Sequence, residues 1–255
     1  MTSGFVITYY HDENHRPTGR RMLERLVRSI RNSITSDYKI FVIDNSSTLD
    51  FEFVDGVSDD MIYYKITDQK IGGLTYAWNV GVNYAFDYGC DVICNLNDDL
   101  VVDDGINSFV DVIRNSDCKP DGLYGPVSNK HGVPGCTPQI RNDRGSDVIE
   151  VTNYVWGNHS GFPLNGFFLG FHSEFIKKYR DRHWLFSTRE YEMWGGQEEY
   201  MFYHNTPKGM RSFVVESCFI KHDKLRTWFD AKKRFGGKNM NQMDLSMRYS
   251  DEREE

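Results

Sequence analysis

The chain has 255 residues, 39% hydrophobic and 26% charged, the composition of an ordinary globular protein, long enough for one large core or two small ones, with a single domain expected. A formal net charge of −7 and a pI near 5.6 argue against a general nucleic-acid binder, since neutralising phosphates takes a basic face. Five cysteines without a CxxC pair indicate neither a disulfide framework nor a zinc knuckle, and the lack of a leader-like start or a span-length apolar stretch sets the expectation of a cytoplasmic protein with no transmembrane segment.

In chain order, residues 5–10, 40–43, 61–66 and 92–94 are short β-rich runs of the kind buried on both faces of a parallel sheet. Between the first two, Met22, Leu23, Leu26, Val27, Ile30 and Ile34 recur at helical spacing. Arg20, Arg21, Arg25, Arg28 and Arg31 take the other positions, which predicts an amphipathic crossover helix. A second helix carries Leu74, Ala77, Gly81, Val82 and Ala85 on one face, and a third carries Ile106, Phe109, Val110 and Ile113. Strand, helix, strand in this order implies right-handed βαβ units and an α/β, doubly wound sheet. Residues 213–222 alternate loosely like a further strand and end on His222.

The run from Asp91 to Asp99 is an apolar strand that stops abruptly at Asn97-Asp98-Asp99. Acidic residues at the carboxyl end of a buried parallel strand sit where open α/β sheets hold their ligands, and hard divalent cations take oxygen ligands there beside substrate phosphates. The same triplet is also ordinary turn chemistry. Tyr9, Tyr10 and His11, then Asp44, Asn45, Ser46 and Ser47, then Thr67 and Asp68, follow the other strands and should gather along the same edge. No GxGxxG follows the first strand and no GxxxxGK[ST] occurs, so a nucleotide would be held by side chains and a metal.

The order of these features resembles the inverting family 2 glycosyltransferases of the GT-A fold, and within them the bacterial rhamnosyltransferase-like branch. The pieces that carry the resemblance are Val42-Ile-Asp-Asn-Ser-Ser47, Gly72-Gly-Leu-Thr-Tyr-Ala-Trp-Asn-Val-Gly81, Leu96-Asn-Asp-Asp99, Tyr124-Gly-Pro126, Asn165-Gly-Phe-Phe-Leu169, Gly195-Gly-Gln-Glu-Glu199 and His222. The resemblance implies one GT-A domain over residues 1–225, a mostly parallel doubly wound sheet flanked by helices. Residues 1–104 would form a Rossmann-like nucleotide-sugar-binding half, 105–225 an acceptor half, and 226–255 a basic lid and polar tail. It implies metal-dependent, inverting transfer of a sugar from a UDP- or dTDP-linked donor to a hydroxyl of a glycan or glycoconjugate acceptor, with Mn2+ or Mg2+ as cofactor.

Residue roles follow from the same resemblance. Asp44 is placed at the base edge of the nucleotide, with Thr8, Tyr9, Tyr10, His11 and Asn45 around it, although an Asx-turn is an equal reading of an isolated Asp-Asn-Ser. Lys70 and Asn79 are assigned to the nucleotide sugar. Asn97-Asp98-Asp99 stands for the family's Asp-x-Asp signature, with asparagine first. Strand alternation puts Asn97 and Asp99 on one face, which makes Asp99 the metal ligand and sends Asp98 towards the ribose or donor sugar, unless the chain has already turned. His222 is implied as a second metal ligand. Gly195-Gly-Gln-Glu-Glu199 supplies the catalytic base in one of two registers: spacing from Gly209 and His222 selects Glu198, whereas residue type alone pairs Glu198 with Glu199. Acids at a helix amino terminus would complement its dipole without doing chemistry.

Two further stretches admit two readings each. The basic run of Lys224, Arg226, Lys232, Lys233, Arg234 and Lys238 is a solvated face or a lid over a diphosphate. Trp156, Phe162, Phe167 and Phe168 form core or an acceptor-sugar platform, with core favoured for the adjacent phenylalanines. A sugar-nucleotide pyrophosphorylase is a rival, but its glycine-rich amino-terminal loop is not seen after residues 5–10. A non-catalytic nucleotide-sugar or glycan binder is the other, and Asn97 and Gln197 are its support.

Overall fold

A computed structural model describes residues 1–11, 19–45, 47, 58–67, 74–128, 148–151, 155–156, 159–160, 164, 166–181, 185–186, 201 and 205–222. The first half alternates as its apolar periodicity predicts: β1 (Ser3–Tyr9), α1 (Gly19–Ser33), β2 (Tyr38–Asp44), β3 (Met61–Lys65), α2 (Leu74–Asp87) and β4 (Val92–Asn97). Then come β5 (Leu100–Val101), α3 (Gly105–Asn115), β6 (Gly122–Ser128), β7 (Val148–Glu150) and a small hairpin of β8 (Val155–Trp156) and β9 (His159–Ser160). β10 (Phe168–His172), α4 (Ser173–Tyr179), a 3-10 turn at Thr206–Lys208 and the long β11 (Arg211–His222) complete the described elements.

The main sheet has the order β3-β2-β1-β4-β10-β6-β11-β5, with β7 beside β11. β3, β2, β1 and β4 are mutually parallel, the arrangement that crossover helices enforce. β10 enters antiparallel between β4 and β6, so the carboxyl-terminal half is mixed where the amino-terminal half is not. Side chains at period two divide each central strand between two cores. Phe5, Ile7 and Tyr9 of β1 join Leu23, Leu26 and Ile30 of α1 and Phe109 and Ile113 of α3 on one face. Val6 of the same strand joins Ala77, Trp78, Val82 and Ala85 of α2 and Phe175 and Ile176 of α4 on the other. The result is three layers. Burial on both faces explains why these strands read as continuous apolar runs, each enclosed side chain contributing about 1.5–3 kcal/mol.

Two contacts set how the layers meet. α2 lies so close to the sheet at Gly81 that a Cβ there would stand 2.2 Å from Val6 Cγ1 and 2.8 Å from Ile43 Cγ1. Helix propensity alone would favour alanine at this position by about 1 kcal/mol, but overpacking against two fixed β-branched side chains costs about 1–3 kcal/mol. Gly81→Ala should therefore lower the urea midpoint; an unchanged or raised midpoint would show that α2 lifts off the sheet freely. At the opposite, amino-terminal edge, Arg114 on α3 donates to both carboxylate oxygens of Asp91, at 2.7 and 3.2 Å, and to Ser3 Oγ at 3.0 Å. This clamp ties α3 to the starts of β1 and β4, away from the strand ends that carry the site.

β4 runs three residues past the predicted 92–94 and stops at Asn97, where the chain turns through Asp98 and Asp99. The alternation argument that put Asn97 and Asp99 on one strand face therefore does not apply, and the exception allowed for an early turn is the case found. Cys90, Cys94, Cys118 and Cys218 are free thiols. No helix among the described residues is long and apolar enough to cross a membrane.

Candidate functional site

β1 has β2 on one side and β4 on the other, and crossovers leave in opposite directions from such a strand, opening a crevice at its carboxyl end. Tyr9, Asp44 and Asn97 end the three strands there. Backbone bonds stitch two of the ends together: Asn45 N–H donates to Tyr9 O at 2.7 Å, and Ile66 N–H to Asp44 O at 2.9 Å. Side chains do the rest. Asp44 Oδ1 accepts from Ser47 N–H at 2.8 Å, Ser47 Oγ accepts from His11 N–H at 2.8 Å, and the Tyr63 hydroxyl donates to Asp44 Oδ2.

Asp44 is thus fully buried, with both oxygens engaged. Of the two readings of Asp-Asn-Ser, the structure shows a loop-building one, with the carboxylate bonded three residues on at Ser47 N–H. Tyr9 is also enclosed, its phenol pushed above the ordinary range by burial first and then by the charges of Asp98 and Asp44. His11 is buried with its ring 5.9 Å from that of Tyr9, and Thr8 is nearly covered. Among the strand-end residues assigned to the nucleotide sugar, Tyr10, Asn45, Asn97 and Asp98 keep accessible surface.

On the other side of the crevice, β5 returns from the Asp98–Asp99 turn and pairs antiparallel with the end of β11, Leu100 opposite His222 and Val101 opposite Lys221. That register brings two residues distant in sequence together, with His222 Nε2 3.2 Å from Asp99 Oδ2. Their side chains are 13% and 7% exposed. The other carboxylate oxygen, Asp99 Oδ1, is buried with no hydrogen-bond partner, and an acceptor left so costs about 1–3 kcal/mol. Phe167 stacks on the His222 ring at 5.0 Å between centroids and 25° between planes, and its carbonyl accepts from Asn97 N–H at 3.0 Å. Phe167 was expected to be core, and it is buried, but it also orients an imidazole. Phe168 packs on Phe109 in the core at 4.9 Å. Asp98, partly open to solvent, has its carboxyl raised well above the usual range by desolvation first and then by the neighbouring charge of Asp99.

One carboxylate and one imidazole with an unused buried oxygen fit a divalent cation that completes its shell with substrate phosphate oxygens and water. Among the described residues no cluster of three or more His, Cys, Asp or Glu side chains is assembled, so these residues alone would not saturate the ion.

Asn79 calls for a correction. The resemblance assigns it to the nucleotide sugar, yet its amide donates to Thr75 O at 2.9 Å and Phe186 O at 2.7 Å, while its Oδ1 accepts from Leu185 N–H at 2.7 Å and Phe186 N–H at 2.9 Å. Every donor and acceptor of the amide is committed. Asn79 fixes the 185–186 segment against α2, and Phe186 also meets Trp78 edge to face at 5.1 Å. An asparagine one turn after Thr75 on a buried helix face was a readable signal for such a tie. Asn95, in the middle of β4, went unnoticed because it sits inside an apolar run. It is fully buried and neither end of its amide has a hydrogen-bond partner.

Ser46, Asp68, Lys70, Phe162, Gln197, Glu198, Glu199 and the basic segment 226–255 lie outside the described residues, and Trp156 is described only as backbone within β8.

No family model matches the chain, and no curated protein does. Among solved structures it is similar to the crystal structure of GalNAc-T7 with UDP, GalNAc and Mn2+, with a TM-score of 0.61 and 16% sequence identity over 89% of this chain and 45% of that one. The chain therefore spans about half the length of that relative. This likeness shows the fold alone: the mixed sheet of nine strands among the described residues, with its helices, has the GT-A fold.

Proposed function

We propose that the protein is a metal-dependent glycosyltransferase that moves a sugar from a nucleoside diphosphate sugar to a hydroxyl of a glycan or glycoconjugate, with inversion at the anomeric carbon as in family 2 and its rhamnosyltransferase-like branch. The observation that carries this reading is the approach of His222 Nε2 to 3.2 Å from Asp99 Oδ2 beside the strand ends where such folds hold nucleotides. The UDP and Mn2+ named for the structurally similar GalNAc-T7 favour the same donor class.

Asp99 and His222 would hold Mn2+ or Mg2+, which when bound supplies positive charge against the leaving diphosphate. Asn97 and Asp98, at the head of the same turn, would orient the ribose or donor sugar. The loop built by Asp44 and Ser47 would shape the base pocket, with Tyr10 and Asn45 touching the base. Glu198 would accept the proton of the acceptor hydroxyl as its oxygen attacks the anomeric carbon and the bond to the diphosphate breaks. No covalent enzyme intermediate is required.

Donor-dependent release of nucleoside diphosphate, run over a panel of UDP-, dTDP- and GDP-sugars with candidate acceptors, tests the reading. A UDP or dTDP donor should support release, and the same nucleotides should protect the protein thermally more than GDP does. Nucleotide binding without release across the panel would identify a binder in place of a catalyst, and preferential protection by GDP would overturn the pyrimidine assignment.

A further inference from the structure

β11 does not run straight to His222. It pairs in parallel with β6 from Arg211, opposite Gly122, to Val215, opposite Pro126, and the pairing resumes only at Phe219, opposite Val127, so Glu216, Ser217 and Cys218 form a bulge with no counterpart on β6. Strand side chains alternate, and an odd insertion therefore exchanges the faces of everything beyond it. Before the bulge, Phe213 and Val215 point into the core between the sheet and helices α1 and α3; beyond it, Cys218 and Ile220 do, while Phe219 is 41% exposed. The inward set has passed from odd-numbered to even-numbered residues. His222 follows Ile220 by two, stands opposite Leu100 of the same core, and stacks on Phe167 of that core. An unbroken strand would keep 217, 219 and 221 on this face and bring Lys221 to Asp99 in place of the imidazole, an ammonium that has no lone pair for a cation.

The bulge is held from the side of α3. Gly105, the first residue of that helix, lies so close that a Cβ there would stand 2.7 Å from Ser217 O and 3.2 Å from Cys218 Cα. Both of those atoms are backbone, so no change of rotamer relieves the contact. Close by on the same helix, the Ser108 and Ser217 hydroxyls share a hydrogen bond of 2.8 Å. α3 is joined to the other residue of the pair as well: the chain leads from Asp99 through β5 directly into the helix, and on the way Val102 N–H donates to Ser29 Oγ of α1 at 3.2 Å. The start of α3 is thus the body against which both arms of the Asp99–His222 pair are set, one by chain connection and the other by contact.

We infer that Gly105 and Ser108 are positioning residues for the metal site: by seating the 216–218 bulge they fix which face of β11 reaches Asp99 and how closely His222 approaches it. Bulges beside functional sites re-aim side chains in this way. The inference rests on the proposed function and adds where the geometry of its site is set.

The test titrates UDP calorimetrically, with Mn2+ and with a chelator, into the wild type and into Gly105→Ala, Ser108→Ala and Asn107→Ala, and adds the crystal structure of Gly105→Ala. Asn107 lies between the other two on α3 but is tied to the end of α1, its side-chain amide donating to Ser33 O at 2.7 Å and accepting from Thr35 N–H at 3.0 Å, so its loss loosens the helix start without releasing the bulge. In Gly105→Ala the gain in UDP affinity brought by Mn2+ should fall about tenfold, with affinity in chelator kept within about twofold, and His222 Nε2 should stand beyond hydrogen-bond reach of Asp99 Oδ2. Ser108→Ala should reduce the same gain about threefold, and it decides the matter even if Gly105→Ala fails to fold. Asn107→Ala should lower the melting temperature and keep the gain. A full gain in both Gly105→Ala and Ser108→Ala would overturn the positioning role, and so would an equal loss in Asn107→Ala, which would show that any loosening of α3 suffices. A wild type with no Mn2+ gain defeats the proposed function, and the crystal structure then still decides whether Gly105 sets the place of His222.

Discussion

Glu198→Gln should lower sugar transfer about a hundredfold or more while leaving donor and metal affinity intact. The substitution is nearly isosteric and removes only the ability to accept a proton, so its effect belongs in turnover and not in binding. Adjacent residues of a helix project roughly 100° apart, so a helical 198–199 pair would present only one carboxylate to an acceptor hydroxyl. Distances to two anchors downstream, Gly209 and His222, select Glu198, whereas residue type alone would accept either. Of these anchors, His222 stands beside Asp99. Gly209 caps the 3-10 turn in the left-handed conformation, φ +97°, a position that glycine occupies without strain. Steady-state kinetics of both single variants read the outcome. A large loss in Glu199→Gln with little change in Glu198→Gln would move the base by one residue, and no loss in either would remove the catalytic assignment.

Asp99→Ala and His222→Ala should each reduce transfer on the order of a hundredfold, and the double variant should be little worse than either alone, because two ligands of one ion act as a unit. The substitutions should also raise the Mn2+ concentration needed for half-maximal rate. A purely structural ion pair predicts something else: a lowered melting temperature, additive losses and an unchanged Mn2+ requirement. The buried, unpartnered Asp99 Oδ1 argues for the ligand role, since a pair kept only for stability would leave no acceptor unused.

The parallel half of the fold was legible because each of its strands is buried on both faces and each helix shows a single apolar stripe, signals that local sequence carries in full. β1, β2 and β3 start and stop within two residues of the predicted runs. The antiparallel insertion of β10 between β4 and β6 was not legible, since nothing in Phe168–His172 records which strands it pairs. The site was legible in the same uneven way. Asp99 and His222 were singled out through the order of motifs, but their 3.2 Å approach depends on β5 pairing with β11 across 120 residues of chain. Asn79 and Asp44 show the limit of motif reasoning. Both occupy expected positions, and both spend their polar groups on the protein itself, Asn79 on the 185–186 segment and Asp44 on Ser47 and Tyr63. A motif locates a residue without saying whether it meets the ligand or holds up what does.

The central claim, that Asp99 and His222 hold a cation in company with a nucleoside diphosphate, is tested most directly by calorimetric titration of UDP into the protein, once with Mn2+ and once with a chelator. Because Asp99 and His222 leave most of the ion's shell to other oxygens, diphosphate and cation should bind in support of one another, with UDP held at least about tenfold more tightly when Mn2+ is present. Identical UDP affinity in Mn2+ and in chelator would contradict the account.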